Sequence, residues 1–182
     1  MTDDITPISP GEPAPDFTLP NLLNGNGNKV ALSALRGSVV VLNFWSGECA
    51  WSRHYDAYFA EQARRWAAQG VHLLHIASND SETPDFAREK AAEYGMRAPL
   101  LHDPGSAVAD AYGAVTTPHV FVLDPGGCVA YEGAVDDRTF RQREATVNYL
   151  SAAVDAVREG RSPEPASVPP YGCTIVRPFE TA

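Results

Sequence analysis

Residues 38–44 read Ser-Val-Val-Val-Leu-Asn-Phe, a nearly continuous apolar run of strand length. A strand with one wet face alternates apolar and polar residues; an unbroken run must be covered on both faces, which makes this the central strand of a sheet with helices on either side. The chain after it alternates accordingly. Tyr55, Phe59, Ala63 and Trp66 recur at helical spacing before Gly70, so a helix of about four turns follows Cys49. Val71–Ala77 is a second buried strand, and Thr83-Pro84 supplies the N-cap and first turn of a helix closing near Gly95. A short strand at Ala98–Leu101 and a brief helix near Ser106–Tyr112 lead to Thr117-Pro118 and the apolar run His119–Leu123. Asp124-Pro125-Gly126-Gly127 is a turn, so Cys128–Gly133 returns antiparallel. A last amphipathic helix is expected to carry Phe140, Val147, Leu150, Val154 and Val157 and to stop at Gly160. Upstream, Asp16–Leu19 and the segment after the Gly/Asn turn at residues 24–28 form an N-terminal hairpin. The fold class is α/β, a central mixed sheet flanked by helices.

Beyond Arg161 the prolines at 163, 165, 169, 170 and 178 are incompatible with helix and force an extended tail. The expected organisation is one domain over residues 1–160 and a tail over 161–182 packed on it. A net charge of −9 leaves too few and too scattered basic residues for a nucleic-acid partner. No apolar run has the length of a membrane span, and the N-terminal residues carry no export signal. Three widely separated cysteines, Cys49, Cys128 and Cys173, are unlike a disulfide scaffold and point to a reducing, cytoplasmic setting.

Cys49 falls between the end of the central strand and the start of a helix, where free N–H groups and the helix dipole favour a thiolate. Arg53, one turn on, adds positive charge there, while Glu48 opposes it. The other candidates are weaker. His72 and His75, three apart on a strand, face opposite ways and make no metal pair. His119 follows Pro118 and is a packed histidine or a neighbour of the active loop. Cys128 starts a strand far from Pro118 and is assigned no role. Trp51 projects from the first helical turn as a lid or a recognition surface.

The segment Phe44-Trp45-Ser46-Gly47-Glu48-Cys49-Ala50-Trp51-Ser52-Arg53 resembles the Cys-x-x-Cys-Arg active-site segment of thioredoxin-like redoxins. Residues 11–19 (GEPAPDFTL) are similar to the start of alkyl hydroperoxide reductase/thiol-specific antioxidant domains, a peroxiredoxin-like family. Thr116-Thr117-Pro118 resembles the loop whose proline is cis and faces the active cysteine, and Tyr171-Gly172-Cys173-Thr174-Ile175 the Gly-Cys ending of a peroxiredoxin-like subgroup. The resemblance implies a thioredoxin-like fold and a thiol-dependent oxidoreductase or antioxidant protein without metal or organic cofactor. Cys49 would attack a peroxide or a protein or small-molecule disulfide, and an external thiol would reduce it. Arg53 would support the thiolate, Ser46 and Ser52 would donate to it or to a bound peroxide, and Thr117, Pro118 and Trp51 would shape the substrate site.

Two departures matter. Ser52 replaces the second motif cysteine, so Cys49 cannot close a disulfide within its own motif and must be resolved by an external thiol or by Cys173, the one plausible internal thiol; the alternative for Cys173 is a packed small hydrophobe in a tail that only covers apolar surface. In the Pro-x-x-x-Thr-x-x-Cys pattern of peroxiredoxins, Leu42 stands at the proline and Ser46 at the threonine. A reading of a different class also fits: a catalytically silent thioredoxin-fold module binding partners through Trp51 and Pro118.

Overall fold

The computed structural model describes residues 6–24 and 27–179. Residues 1–5, residues 25–26 of the expected Gly/Asn turn and residues 180–182 lie outside them. A five-stranded sheet forms the centre, built from β3 (Val39–Trp45), β4 (Val71–Ala77), β5 (Leu100–His102), β7 (His119–Leu123) and β8 (Val129–Gly133). Its order is β5-β4-β3-β7-β8. β4 runs parallel to β3 and β5, β7 antiparallel to β3, and β8 antiparallel to β7, so the sheet is mixed. β1 (Thr18–Pro20) and β2 (Lys29–Ala31) form the N-terminal hairpin. The helices are α1 (Ala50–Ala68), α2 (Pro84–Glu93), α3 (Ala107–Tyr112) and α4 (Tyr149–Arg158). Two short strands, β6 (Thr116–Thr117) and β9 (Cys173–Thr174), pair separately. No helix among the described residues is long and apolar enough to cross a membrane.

β3 is buried at every position, as its unbroken apolar run requires. Leu42 and Phe44 face one cluster with Tyr112 and Phe121; Val41 faces the other with Phe59, Trp66, Val120, Leu150 and Val154. Each such side chain contributes about 1.5–3 kcal/mol by leaving water. The two strand histidines separate as their spacing demands: His72 is exposed, whereas His75 is buried and bonded through Nδ1 to Asn43 at 3.0 Å. Register then fixes the site. β3 pairs with β7 from Val40↔Leu123 to Phe44↔His119, so the C-terminal end of β3 lies beside the N-terminal end of β7. The chain leaves β3 towards Cys49 and enters β7 through Pro118.

The last helix is shorter than its apolar spacing suggested. It starts after Asn148, whose side chain caps Ser151 N–H at 2.8 Å, so Val147 and Phe140 lie outside it and are exposed. The competing interaction is local: the Asp137 carboxylate takes Thr146 N–H at 2.8 Å, Val147 N–H at 3.2 Å and Gln142 Nε2 at 2.5 Å, which holds residues 137–147 as a loop. The tail from Arg161 joins the domain through backbone bonds, Glu132 N–H to Ala166 C=O at 3.1 Å and Val168 N–H to Glu132 C=O at 3.2 Å.

On the inner face of α1, Asp56 is buried, takes Trp45 Nε1–H at 2.9 Å on one oxygen and leaves the other without a partner. Burial pushes its carboxyl up to about 6. A folded-state value above the unfolded one means the native state binds the proton more tightly, so this contribution is full below pH ~4 and is lost as pH rises through about 6, amounting to about 3 kcal/mol. Asp56→Asn keeps the acceptor for Trp45 and cannot ionise. In urea unfolding from pH 4 to 8, the stability difference between variant and parent should shift in the variant's favour by about that amount; parallel curves would contradict it.

Candidate active site

Cys49 is the N-cap of α1, a position normally held by Ser, Thr, Asp or Asn because an acceptor there satisfies an orphan N–H. Its sulfur fills that role, taking Ser52 N–H at 3.3 Å, and lies 2.9 Å from the Thr117 carbonyl oxygen, to which the thiol donates. The Thr117–Pro118 bond is cis. Thr117 Oγ1 is buried without a conventional partner and helps to hold the Cys49 thiolate. Only 3% of Cys49 is exposed.

What covers it is the tail. β9 pairs antiparallel with β6 in the register Thr117↔Cys173 and Thr116↔Thr174, extended by Ile175 N–H to Val115 C=O at 3.0 Å. Gly172 makes this approach possible: a Cβ there would meet Thr117 O at 2.2 Å and Pro118 N at 3.0 Å, closer than any side chain allows. Beyond the strand, Ile175 is buried, Val176 N–H bonds Asn79 Oδ1 at 2.9 Å, and Arg177 reaches Asp110 at 2.6 Å and Ala114 C=O at 2.7 Å. Before it, Tyr171 stands edge-on to Trp51 with ring centres 5.0 Å apart.

This pairing brings Cys173 to the Cys49 site, because its partner in the register, Thr117, is the residue whose carbonyl oxygen lies 2.9 Å from the Cys49 sulfur. Burial opposes ionisation of Cys49, but hydrogen bonds from the Cys173 thiol, from Thr117 and from the N–H groups of Ser52 and Cys173 outweigh it and lower the thiol below its ordinary value. Cys173 moves the opposite way, raised by burial and by the hydrogen bond to, and the charge on, Cys49, against the pull of Trp51 and Ala50 N–H. Of the two sulfurs, Cys49 is therefore the one that gives up its proton first as pH rises.

The expected site residues divide. Cys49, Thr117, Pro118 and Cys173 converge, and Trp51 flanks them. Arg53, expected beside the thiolate, instead lies over the Tyr94 ring at 5.1 Å. Ser46 turns its hydroxyl to the Glu82 carboxylate rather than to sulfur, and the Ser52 hydroxyl takes Ser46 N–H at 3.3 Å, so Ser52 serves the thiol through its backbone alone. His119 is a packing histidine: stacked on Phe121, it takes Val115 N–H on Nδ1 and donates from Nε2 to Glu132 at 3.0 Å. Cys128 sits outside this cluster, in an isolated bridge with Pro13. Sequence reasoning missed Glu82, whose buried carboxylate also collects Gly47 N–H at 3.0 Å and Glu48 N–H at 3.3 Å and so shapes the loop before Cys49. An acid in the polar run Ser78–Thr83 carries no periodic signal that would have singled it out.

This chain belongs to the AhpC/TSA family, which it matches over residues 10–132, and its fold is thioredoxin-like. It is 34% identical over 122 residues to the thiol-disulfide oxidoreductase ResA of Bacillus subtilis (strain 168), covering 67% of this chain and 65% of that protein's length. A hypothetical protein of Sinorhizobium meliloti 1021 superposes with a TM-score of 0.85 at 33% identity, over 95% of this chain and 97% of that one. The thioredoxin domain of a Bacteroides vulgatus thiol-disulfide oxidoreductase shares the fold, with a TM-score of 0.60 at 22% identity over 69% of this chain and 88% of that one.

Because the Cys173 thiol helps to lower Cys49, Cys173→Ala should raise the pH midpoint of Cys49 alkylation. Gly172→Ala, which forces the tail off Thr117 and uncovers the sulfur, should speed Cys49 alkylation relative to the parent. Iodoacetamide rates across pH 5–10, read by mass on the Cys49 peptide, check both; a Cys173→Ala midpoint equal to the parent's would show that the tail does not tune this thiol.

Proposed function

We propose that this chain is a thiol–disulfide oxidoreductase in which Cys49 is the nucleophile and Cys173 the resolving thiol. The observation that carries the reading is the placement of Cys173 opposite Thr117, the residue whose carbonyl oxygen lies 2.9 Å from the Cys49 sulfur. The Cys49 thiolate attacks one sulfur of a substrate disulfide, forming a mixed disulfide and releasing one thiolate. Cys173, deprotonated as it attacks, then bonds the Cys49 sulfur and expels the second thiolate. The protein is left with a Cys49–Cys173 disulfide and has passed two electrons to the substrate; an external thiol reductant restores it. Since the second motif cysteine is Ser52, the tail supplies the thiol that the motif lacks. For Cys49 to meet its substrate, the two-residue strand β9 must lift, which costs little pairing.

Disulfides suit this site better than peroxides. Reducing a peroxide requires donors aimed at the departing oxygen, yet the Ser46 hydroxyl donates to Glu82 and Arg53 is turned to Tyr94. What surrounds Cys49 is an extended backbone edge at Thr116–Thr117 on which a strand already pairs. A silent binding module has no need of a lowered thiol beside a second one.

The test is stoichiometric. In a Cys128→Ser background, reduced protein mixed with excess dithiobis(nitrobenzoate) should release two chromophoric thiolates per chain, the second step leaving no chromophore attached. With Cys173→Ser added, release should stop at one and the adduct should remain on Cys49. One thiolate from the parent would remove Cys173 from the mechanism, and none would favour the silent module.

A further inference from the structure

Trp51 and His54, on the first turns of α1 after Cys49, line a cavity of about 350 Å³ together with Arg138, Thr139, Phe140 and Arg143. It is joined to the reacting atoms by a single residue. Trp51 lies two residues after Cys49, and its ring forms the cavity wall, packed edge-on against Phe140 at 5.6 Å and against Tyr171, two residues before Cys173, at 5.0 Å. The charge here runs against that of the molecule. The chain carries −9 overall, yet three arginines, Arg138, Arg141 and Arg143, fall within six residues of the loop that bounds this cavity. The loop also carries three carboxylates, Asp136, Asp137 and Glu144, none of which lines the cavity: Asp137 is occupied by Gln142, Thr146 and Val147, and Asp136 takes Tyr55 OH at 2.6 Å and lies 3.5 Å from Arg138. Arg138 is further fixed by donating to His54 Nε2 at 2.9 Å. Arg143 has no ion pair among the described residues.

A small cavity with aromatic walls, a positioned guanidinium and a second unpaired one fits a carboxylate-bearing group of low molecular weight. We propose that this is the substrate-recognition site, and that the disulfides handled by Cys49 are small molecules carrying carboxylates, seated with the anionic end on Arg138 and Arg143 and the aliphatic part on Trp51 and Phe140. The proposal rests on the thiol–disulfide reading above and adds the chemical class of its substrate. The volume favours a small molecule over a folded protein partner, whose contact would spread over a far larger area.

Three disulfides of similar size and different charge decide it: dithiodipropionate (anionic), hydroxyethyl disulfide (neutral) and cystamine (cationic). Second-order rates with the reduced full-length chain are each divided by the rate of mercaptoethanol with the same disulfide, which removes differences of intrinsic reactivity. The anionic disulfide is expected to exceed the neutral one by about tenfold at low salt, the cationic one to fall below it, and the preference to shrink as ionic strength rises. Arg143→Glu should collapse the anionic-to-neutral ratio towards one, and Arg143→Lys should retain most of it. Equal normalised rates for the three compounds would overturn the substrate class while leaving the exchange reaction standing. So would inertness to all three combined with reduction of a protein disulfide such as insulin. No reaction with any disulfide, protein or small, would overturn the functional reading itself.

Discussion

The backbone of Thr117 is the point on which the site turns. Its carbonyl oxygen lies 2.9 Å from the Cys49 sulfur, and its strand position is opposite Cys173. One residue thereby fixes both thiols. It does so because the antiparallel register of β3 with β7 places the exit of one strand beside the entrance of the other, and because β6 presents there the edge on which β9 pairs. If the register slipped by one residue, the buried faces of β7 would exchange and the edge would leave the thiol.

The tail completes what the motif omits. A thiol at a helix N-cap gains from the dipole and from Ser52 N–H, but burial works against its charge. The Cys173 thiol supplies the compensating donor, so in the proposed mechanism the group that resolves a mixed disulfide also prepares the nucleophile. Gly172 is the steric condition for this, and Ile175 and Arg177 anchor the segment beyond it. The contacts that cover Cys49 at rest are short in number beside the sheet, which is what a segment that must lift and return requires.

Much of this was legible in the residues. The Val-rich run of β3, the Thr83-Pro84 helix start and the Asp124–Gly127 turn each state a local preference that the packing endorses, so the order of elements followed from them. Cys49, Pro118 and Cys173 stood out because their residue types are chemically distinctive. What stayed hidden depends on side-chain choices that periodicity does not encode. Apolar spacing carried the last helix back to Phe140, but one carboxylate, Asp137, gathered the backbone of that stretch into a loop. Arg53 has the reach for sulfur but lies on an aromatic ring, and Ser46 prefers a charged acceptor, Glu82, that is distant in sequence. The basic cavity at Trp51 was unreadable because its two sides come from segments about 85 residues apart.

The central claim is that Cys173 is the electron partner of Cys49 within one chain. Non-reducing peptide mapping after one equivalent of diamide, which removes two electrons and two protons from a dithiol, tests it most directly. The account calls for a Cys49–Cys173 cross-linked peptide from monomeric protein, with Cys128 still free. Cys49 joined to Cys128 or to a second chain, with Cys173 left reduced, would contradict it.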